Sequence, residues 1–356
     1  MNKNKKIIYT LHQTGSESHF LGLKYLCDKN SFKLIYRELN LAFQLYKSIR
    51  LFNFNKLCKF FVNIYFLASL FFSKNRIIVL GLAPYHYSLY FLNMALKNHN
   101  VFYFTSYTCW DQSKMAESTF FSENLLDLWR KFLKCEVKYI FAVTKIARSG
   151  LVRNNFSDIS KIKVVAHSYN FDIKNKKPKS KQLKFIYAGR LDHNKGIVEI
   201  LNIFKNLNFC ELNIIGDGPL RNVVVTHSED FNNINYFGYV RSSNILKYFK
   251  NNSFLILNSK KSKKWEELFG MVIIEGMACG VVPITTDHSG PTEIISNLKD
   301  GIICKENNIE FGIKKAIKMS EKEFQKFRKN AIIKSKDFHV SKIYKRWEKV
   351  LSKTLN

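Results

Sequence analysis

Four side chains in the second half of the chain have the types and spacing to hold an anionic, sugar-bearing ligand. In ELFGMVIIEGMACG (267–280), Glu267 and Glu275 stand eight positions apart in a segment otherwise built of apolar residues and glycine. In FIYAGRLDHNKGI (185–197), Arg190 and Lys195 follow a strand and a glycine turn. A helix is predicted to start near Lys195, with Asp192 or Asn194 placed to cap it. Two cations beside helix N–H groups neutralise a diphosphate without a metal, Arg through its fork and Lys as a point charge. GMVIIEGMAC reads as a helix closed by Gly280, so Glu267 falls in the loop before it and Glu275 about a turn and a half inside. The small Gly270 lets a ligand reach the free N–H groups at the helix start, which attract phosphate. A carboxylate farther along can accept two hydrogen bonds from a vicinal diol such as ribose. The plainer reading is that Glu267 caps the helix, Glu275 reaches solvent and the Arg190 segment is an ordinary surface turn.

Short apolar runs bounded by turn residues must position these groups. Strands are predicted at 5–11, 76–82, 100–106, 138–144 and 161–167, with helices at 88–98 and 144–154. The pattern lapses at 172–182 into DIKNKKPKSKQ, polar and basic with one proline, which reads as a linker. A second alternating series follows: LKFIYAG, a helix over 195–207, CELNIIG, NINYFGYV, a helix over 243–250, SFLILNS, a helix over 269–279, and VVPITT. This predicts an α/β chain with two doubly wound, Rossmann-like domains facing a central cleft, at residues 1–172 and 183–338. The last stretch, 339–356, is expected to be a helix that packs back on the N-terminal domain. IIGDGP (214–219) and YFGYV (236–240) are strand ends that turn on glycine, where backbone can lie close to a flat base.

Composition narrows the classes. The chain has 356 residues, 46% of them hydrophobic and 24% charged, as in folded soluble proteins. Lys and Arg number 57 against 28 acids, a net charge of +29 that draws in polyanions, anionic lipid or phosphorylated substrates. Seven scattered cysteines form no CxxC, which points away from zinc or a disulfide framework and toward a reducing cytoplasm. The apolar run after the basic N-terminus is too short for a signal peptide.

Taken in order, GRLxxxKG, GDGP, FxGYV and E-x7-E followed by GMACGVVPI resemble the retaining glycosyltransferases of family 4, which have the GT-B fold. The resemblance is strong over about 180–340; before 170 it rests on strand order and FAVTKIARSGLVRN. It implies a donor-binding C-terminal domain and an acceptor-binding N-terminal one. Arg190 and Lys195 would hold the donor diphosphate, Glu275 its ribose, and Glu267 would face the transferred sugar. Backbone of Phe269, Gly270 and Met271 would contact phosphate or sugar hydroxyls, Tyr239 and Val240 would border the base, and Gly189 and Gly216 belong to the same donor-side turns. The family does without a cofactor or metal, and no Asp here has another Asp two positions away, as metal-dependent transferases of the other architecture require.

Two departures concern the acceptor side. HQTGSESHF (12–20) holds only Gly15 where family members often carry a glycine-rich loop. The segment that often supplies a histidine reads TSYTCWDQ (105–112). His86 is the nearest substitute, with Trp110 or Asp111 as possible partners in the role. Residues 57–73, LCKFFVNIYFLASLFFS, are the most apolar stretch, borderline short for a membrane span. The preceding LYKSIRLFNFNKLCK alternates aromatics and bases, as helices lying on anionic membranes do. The expected enzyme therefore moves a hexose from a nucleotide sugar to a glycan or lipid-linked acceptor, in surface polysaccharide or lipopolysaccharide synthesis. It would be cytoplasmic or peripheral on the inner face of the membrane. A nucleotide-sugar epimerase is the alternative enzyme; a nucleic-acid-binding protein is disfavoured, because the bases are dispersed and no nucleic-acid-binding motif emerges.

Overall fold

The computed structural model describes residues 6–13, 16–50, 52–110, 122–172, 180–241, 244–262 and 265–355. They form two compact units, one of residues 1–168 with 340–356 and one of residues 169–339. Each is built on a parallel six-stranded sheet.

The first unit contains β1 (Ile7–His12), α1 (Leu21–Lys29), β2 (Lys33–Glu38), α2 (Leu41–Arg50), α3 (Phe54–Ser69), β3 (Ile77–Gly81), α4 (Leu89–Leu96) and β4 (Asn100–Thr105). It continues with α5 (Ser122–Lys131), β5 (Val137–Ala142), α6 (Lys145–Arg153) and β6 (Ile162–Val164), and it closes with α14 (Val340–Leu355). Its strand order is β2-β1-β3-β4-β5-β6, so the order reverses between β1 and β3. All five predicted strands are present. The strand missing from the sequence reading is β2, a half-buried edge strand whose Lys33, Arg37 and Glu38 break the apolar run. β3, by contrast, is buried along its whole length, as a central parallel strand covered on both faces must be.

Local caps fix the helices. Thr144 accepts the Ala147 N–H at the start of α6, and Asn53 accepts the Lys56 N–H at 3.1 Å at the start of α3. The apolar stretch 57–73 thus folds as most of α3 and the turn after it. Among the described residues no helix is long and apolar enough to cross a membrane. α14 seats on α1 where Gly22 leaves room: a Cβ there would lie 2.8 Å from Ile343 Cγ2. The buried Trp347 of α14 then packs its ring, tilted, 4.2 Å from Phe141 and 5.5 Å from Phe104.

The second unit contains β7 (Lys184–Ala188), α7 (Ile197–Phe204), β8 (Glu211–Ile215), α8 (Arg221–Asp230), β9 (Ile234–Tyr236), α9 (Ile245–Lys250), β10 (Phe254–Leu257) and α10 (Met271–Ala278). β11 (Val282–Thr286), α11 (Ser289–Ile294), β12 (Ile302–Cys304), α12 (Ile309–Lys318) and α13 (Glu321–Ser335) complete it. Its order β12-β11-β10-β7-β8-β9, counted from the unit's own first strand, is 3-2-1-4-5-6, that of dinucleotide-binding folds. The reversal lies between β7 and β10. Residues 173–179 of the expected linker lie outside the described residues. By Lys181 the chain is anchored, its N–H on Glu321 at 2.8 Å and its Nζ on the Ile317 carbonyl at 2.6 Å.

Truncating Trp347 to Ala empties a fully buried indole site and is expected to cost the first unit about 3–5 kcal/mol. Hydrogen exchange at the β4 and β5 amides under native conditions checks this. Unchanged protection there would mean that α14 does not brace the sheet.

Candidate active site in the second unit

Ligands of doubly wound sheets bind beyond the carboxyl ends of the strands where the order reverses. Here that point lies past Ala188 of β7 and Leu257 of β10. The two chain exits are interlocked. Gly196, with φ +61°, lies so close to Asn258 that a Cβ would overlap the Asn258 carbonyl, and Asn258 Nδ2 donates to the Gly196 carbonyl at 3.0 Å. Lys260 N–H donates to the Asn194 carbonyl at 2.8 Å. Left-handed Gly196 also separates a short 3-10 turn, His193–Lys195, from α7, so the α-helix starts at Ile197, two residues past the expected start near Lys195. Of the two candidate caps, Asp192 serves the turn, accepting Lys195 N–H at 3.0 Å.

The Lys195 ammonium pairs with the Glu267 carboxylate, which Ser259 Oγ also reaches at 3.2 Å; the side chains are 19% and 12% exposed. Lys195 Nζ sits 4.9 Å over the Trp265 ring. Glu267 is therefore no helix cap. Its own backbone is held on both sides: its N–H donates to His288 Nδ1 at 3.2 Å, and its carbonyl accepts Gly290 N–H at 3.0 Å. Because Nδ1 accepts, the His288 proton resides on Nε2, which donates to the Ser259 carbonyl at 2.7 Å. Gly290 is obligatory, since a Cβ there would overlap the Phe269 backbone.

Arg190 points outward, 69% exposed, with Nε 3.1 Å from Asp192 Oδ2. Among the described residues no direct contact joins Arg190 to the Lys195–Glu267 pair. Asp192 mediates, binding the guanidinium with one oxygen and the Lys195 N–H with the other. Tyr187, buried, donates its hydroxyl to the Arg190 carbonyl at 2.6 Å and braces the loop from below.

α10 opens at Gly270, whose φ of +88° turns the chain into the helix; the Ile273 N–H is taken by the Gly270 carbonyl at 2.9 Å, while the Met271 and Val272 N–H groups make no hydrogen bond among the described residues. Glu275 follows one turn on, about 6 Å along the axis from Met271. It does not simply reach solvent. Its carboxylate makes no hydrogen bond or ion pair among the described residues, and burial pushes it up to about 7 from an ordinary 4.5. Phe269 is buried and meets Phe338 at 5.9 Å. The glycine strand ends stack: Gly189 N–H donates to the Ile215 carbonyl and Gly216 N–H to the Gly238 carbonyl. A Cβ on Gly216 would overlap the Gly189 carbonyl. Tyr239 projects with 74% of its surface exposed, while Val240 packs against the apolar cluster around Ile186 and Leu255.

Among the first-unit candidates, His86 is half-buried before α4, its Nδ1 2.7 Å from Ser88 Oγ, and burial lowers its pKa. Trp110 is corrected to a core residue: it is 1% exposed, its indole N–H donates to the Tyr107 carbonyl, and it packs 4.8 Å from Phe156. No face of it is left for a ligand. Asp111 and Gly15 lie outside the described residues. The histidine at the reversal point of this sheet is His12, paired with Gly81 across β1 and β3. Its ring lies edge-on to His19 at 5.6 Å, and His19 is 4.5 Å from His167. Burial, then the neighbouring His19, lowers His12 to about 4, so it is neutral at pH 7. The sequence signal for it was a polar residue ending an apolar strand. The same signal marks Asn258, Ser259 and His288, which the motif reading passed over.

Residues 169–338 match the family model of Glycosyl transferases group 1. That segment is the second unit to within one residue. A protein of the cps region of Klebsiella pneumoniae is 27% identical over 200 residues, which cover 49% of this chain and 54% of that one. The chain thus spans about half the length of this curated relative. Among solved structures, Anabaena HepE in complex with UDP and glucose aligns with a TM-score of 0.69 at 14% identity, covering 98% of this chain and all of HepE. The lipopolysaccharide outer core galactosyltransferase WaaB aligns at 0.64 and 16% identity, covering 98% and 99%. Both likenesses concern architecture, and the two-unit α/β fold is that of GT-B glycosyltransferases.

A carboxyl held at about 7 favours the fold below its ordinary value of 4.5, and that stability is lost as pH rises through 7. Glu275→Gln is therefore expected to raise the melting temperature at pH 8, by up to roughly 3 kcal/mol of stability, and to change it little at pH 4. Melting curves at both pH values check this; equal shifts would mean that Glu275 is not desolvated in the folded state.

Proposed function

We propose that the chain is a retaining glycosyltransferase of family 4. It moves a hexose from a nucleotide-diphosphate sugar to a lipid-linked or oligosaccharide acceptor during surface polysaccharide or lipopolysaccharide assembly at the cytoplasmic side of the membrane. The observation that carries this reading is the set formed by the Lys195–Glu267 pair, the open N-terminus of α10 and the unpartnered Glu275 at the reversal point of a 3-2-1-4-5-6 sheet. The match of this unit to the group 1 glycosyl transferases supports it.

Each group has a physical task. Lys195 carries three donors, so it can keep Glu267 and still reach a phosphate. Arg190 exchanges its exposed contact with Asp192 for the diphosphate at little cost, since surface ion pairs are worth about 1 kcal/mol or less. As the bond from the anomeric carbon to the phosphate oxygen breaks and one to the acceptor oxygen forms, negative charge grows on the leaving diphosphate, which takes up the acceptor hydroxyl's proton, and both cations and the α10 N–H groups stabilise that charge. These fixed charges do the work a metal would do elsewhere, and we read the reaction as metal-independent. Glu267, held by Ser259 and His288, meets hydroxyls of the transferred sugar. Glu275 accepts the ribose diol, with Tyr239 and Val240 beside the base. The neighbour HepE holds UDP and glucose, which matches the ligand class inferred for this chain.

The test is UDP release from a panel of UDP-sugars, with and without a lipid-linked acceptor. Arg190→Ala and Lys195→Ala are each expected to lower kcat about 100- to 1000-fold, while Glu275→Ala mainly raises the donor KM. Since only the ionised carboxylate accepts from both hydroxyls of a diol, UDP affinity is expected to fall as pH drops below about 7 in the wild type and to change less in Glu275→Gln. Appearance of an epimeric sugar without acceptor would replace this reading with an epimerase. Mild, equal effects of all three alanines would remove the assigned roles.

A further inference from the structure

The first unit carries a surface that sugar transfer does not require. α3 buries Asn63, Phe66 and Leu67 against the sheet, yet its opposite side is not polar. Tyr65 is 76% exposed, and Phe61, Val62 and Ile64 are exposed with it. At the two ends of the helix Phe54 and Phe72 project, 74% and 92% exposed, and Phe52 precedes them at 96%. Phe91 and Met94 of α4 continue the surface. Folded monomers seldom leave so many large apolar side chains together in water.

Between α3 and α4 the surface opens into an apolar groove of about 530 Å³, walled by Leu39, Ile64, Leu67, Phe71, Phe72 and Phe91. Its lining is almost entirely carbon, so a hydrocarbon chain fills it without stranding a polar group. Charge selects the occupant. Between Glu38 and Asp111 the chain has no acid, while seven Lys and Arg fall in that interval. Arg50, Lys59, Lys74 and Lys97 are exposed on the same helices and the turns beside them. A second copy of a chain with net charge +29 would bring like charge to this face. An anionic lipid surface brings the complement.

We propose that α2, α3 and α4 form a docking surface for an anionic phospholipid bilayer, with the aromatic side chains entering the headgroup boundary, acyl chains seating in the α3–α4 groove, and the surrounding cations meeting lipid phosphates. The structure has no membrane-crossing helix among its described residues, and an interfacial helix with aromatic and basic residues needs none. This inference stands on the first unit alone and does not depend on the sugar-transfer reading.

The test is co-sedimentation of the full chain with vesicles of phosphatidylglycerol and phosphatidylcholine, against vesicles of phosphatidylcholine alone. Binding is expected to the anionic vesicles, to weaken as salt rises, and to fall about fivefold for each of Arg50→Gln and Lys59→Gln. The triple variant Phe61→Ser, Tyr65→Ser, Phe72→Ser should lose it. Circular-dichroism melting curves that keep the wild-type midpoint in every variant show that the chain remains folded. No sedimentation with anionic vesicles, equal binding to neutral ones, or wild-type binding by the triple variant would overturn the proposal. So would a dimer in solution that the triple variant dissolves while vesicle binding is absent, since the face would then belong to a second copy.

Discussion

The site depends on keeping Lys195 and Glu267 together, mostly withdrawn from water, at the mouth of a parallel sheet. Partly buried ion pairs repay their desolvation only when the geometry is held and the remaining polar atoms are satisfied. Both conditions are met by backbone. Asn258 grips Gly196 and thereby Lys195, while His288 and Gly290 grip the main chain of Glu267 from the next strand's exit. Ser259 supplies the carboxylate's second partner. Three consecutive strand ends, β7, β10 and β11, are thus tied to one pair of charges, and removing a glycine at 196 or 290 would unseat the pair as surely as removing a charge.

Around that fixed pair stand two groups in the opposite condition. Arg190 is exposed on a loop, and Glu275 is a half-buried carboxylate with no partner among the described residues. A fold gains nothing from a desolvated, unpaired acid. In the proposed function a ligand hydroxyl pairs it, and strongly perturbed acids are a general mark of ligand sites. The division is between a held charge pair that sets geometry and two groups left exposed or desolvated beside it.

The units also differ in how they spend apolar side chains. In the second, most of the large ones go inward around β7, β8 and β10, and the exposed Phe209, Tyr239 and Phe311 stand singly on separate segments. The first fills its core with Trp110, Trp129 and Trp347, yet still leaves a row of aromatics outside on α3. Packing cannot account for that row, because these side chains stand outside the core they flank. A partner that is itself apolar beneath an anionic layer accounts for both the row and the absence of acids from α2, α3 and α4 themselves.

Much of this was legible in the sequence. Central strands announced themselves as unbroken apolar runs, and GRLDHNK, GDGP and the two glutamates marked the donor-type motifs of the second unit, because both features depend on local composition. β2 and β12 escaped notice, one because a half-exposed edge strand tolerates charges and the other because it is three residues long. Trp110 looked available and is core, since burial of an indole depends on what the rest of the chain packs over it. His12, Ser259 and His288 gained their meaning only when strand order placed their strand ends beside one another. By itself, then, the sequence determined the α/β class, the positions of every strand but β2 and β12, and the residue types able to hold a diphosphate, all carried by spacing over a few neighbours. The tertiary structure alone decided which strands adjoin, which loops interlock, which carboxylate pairs with Lys195 and which is left desolvated, because contacts across tens of residues follow from sheet order and not from local pattern.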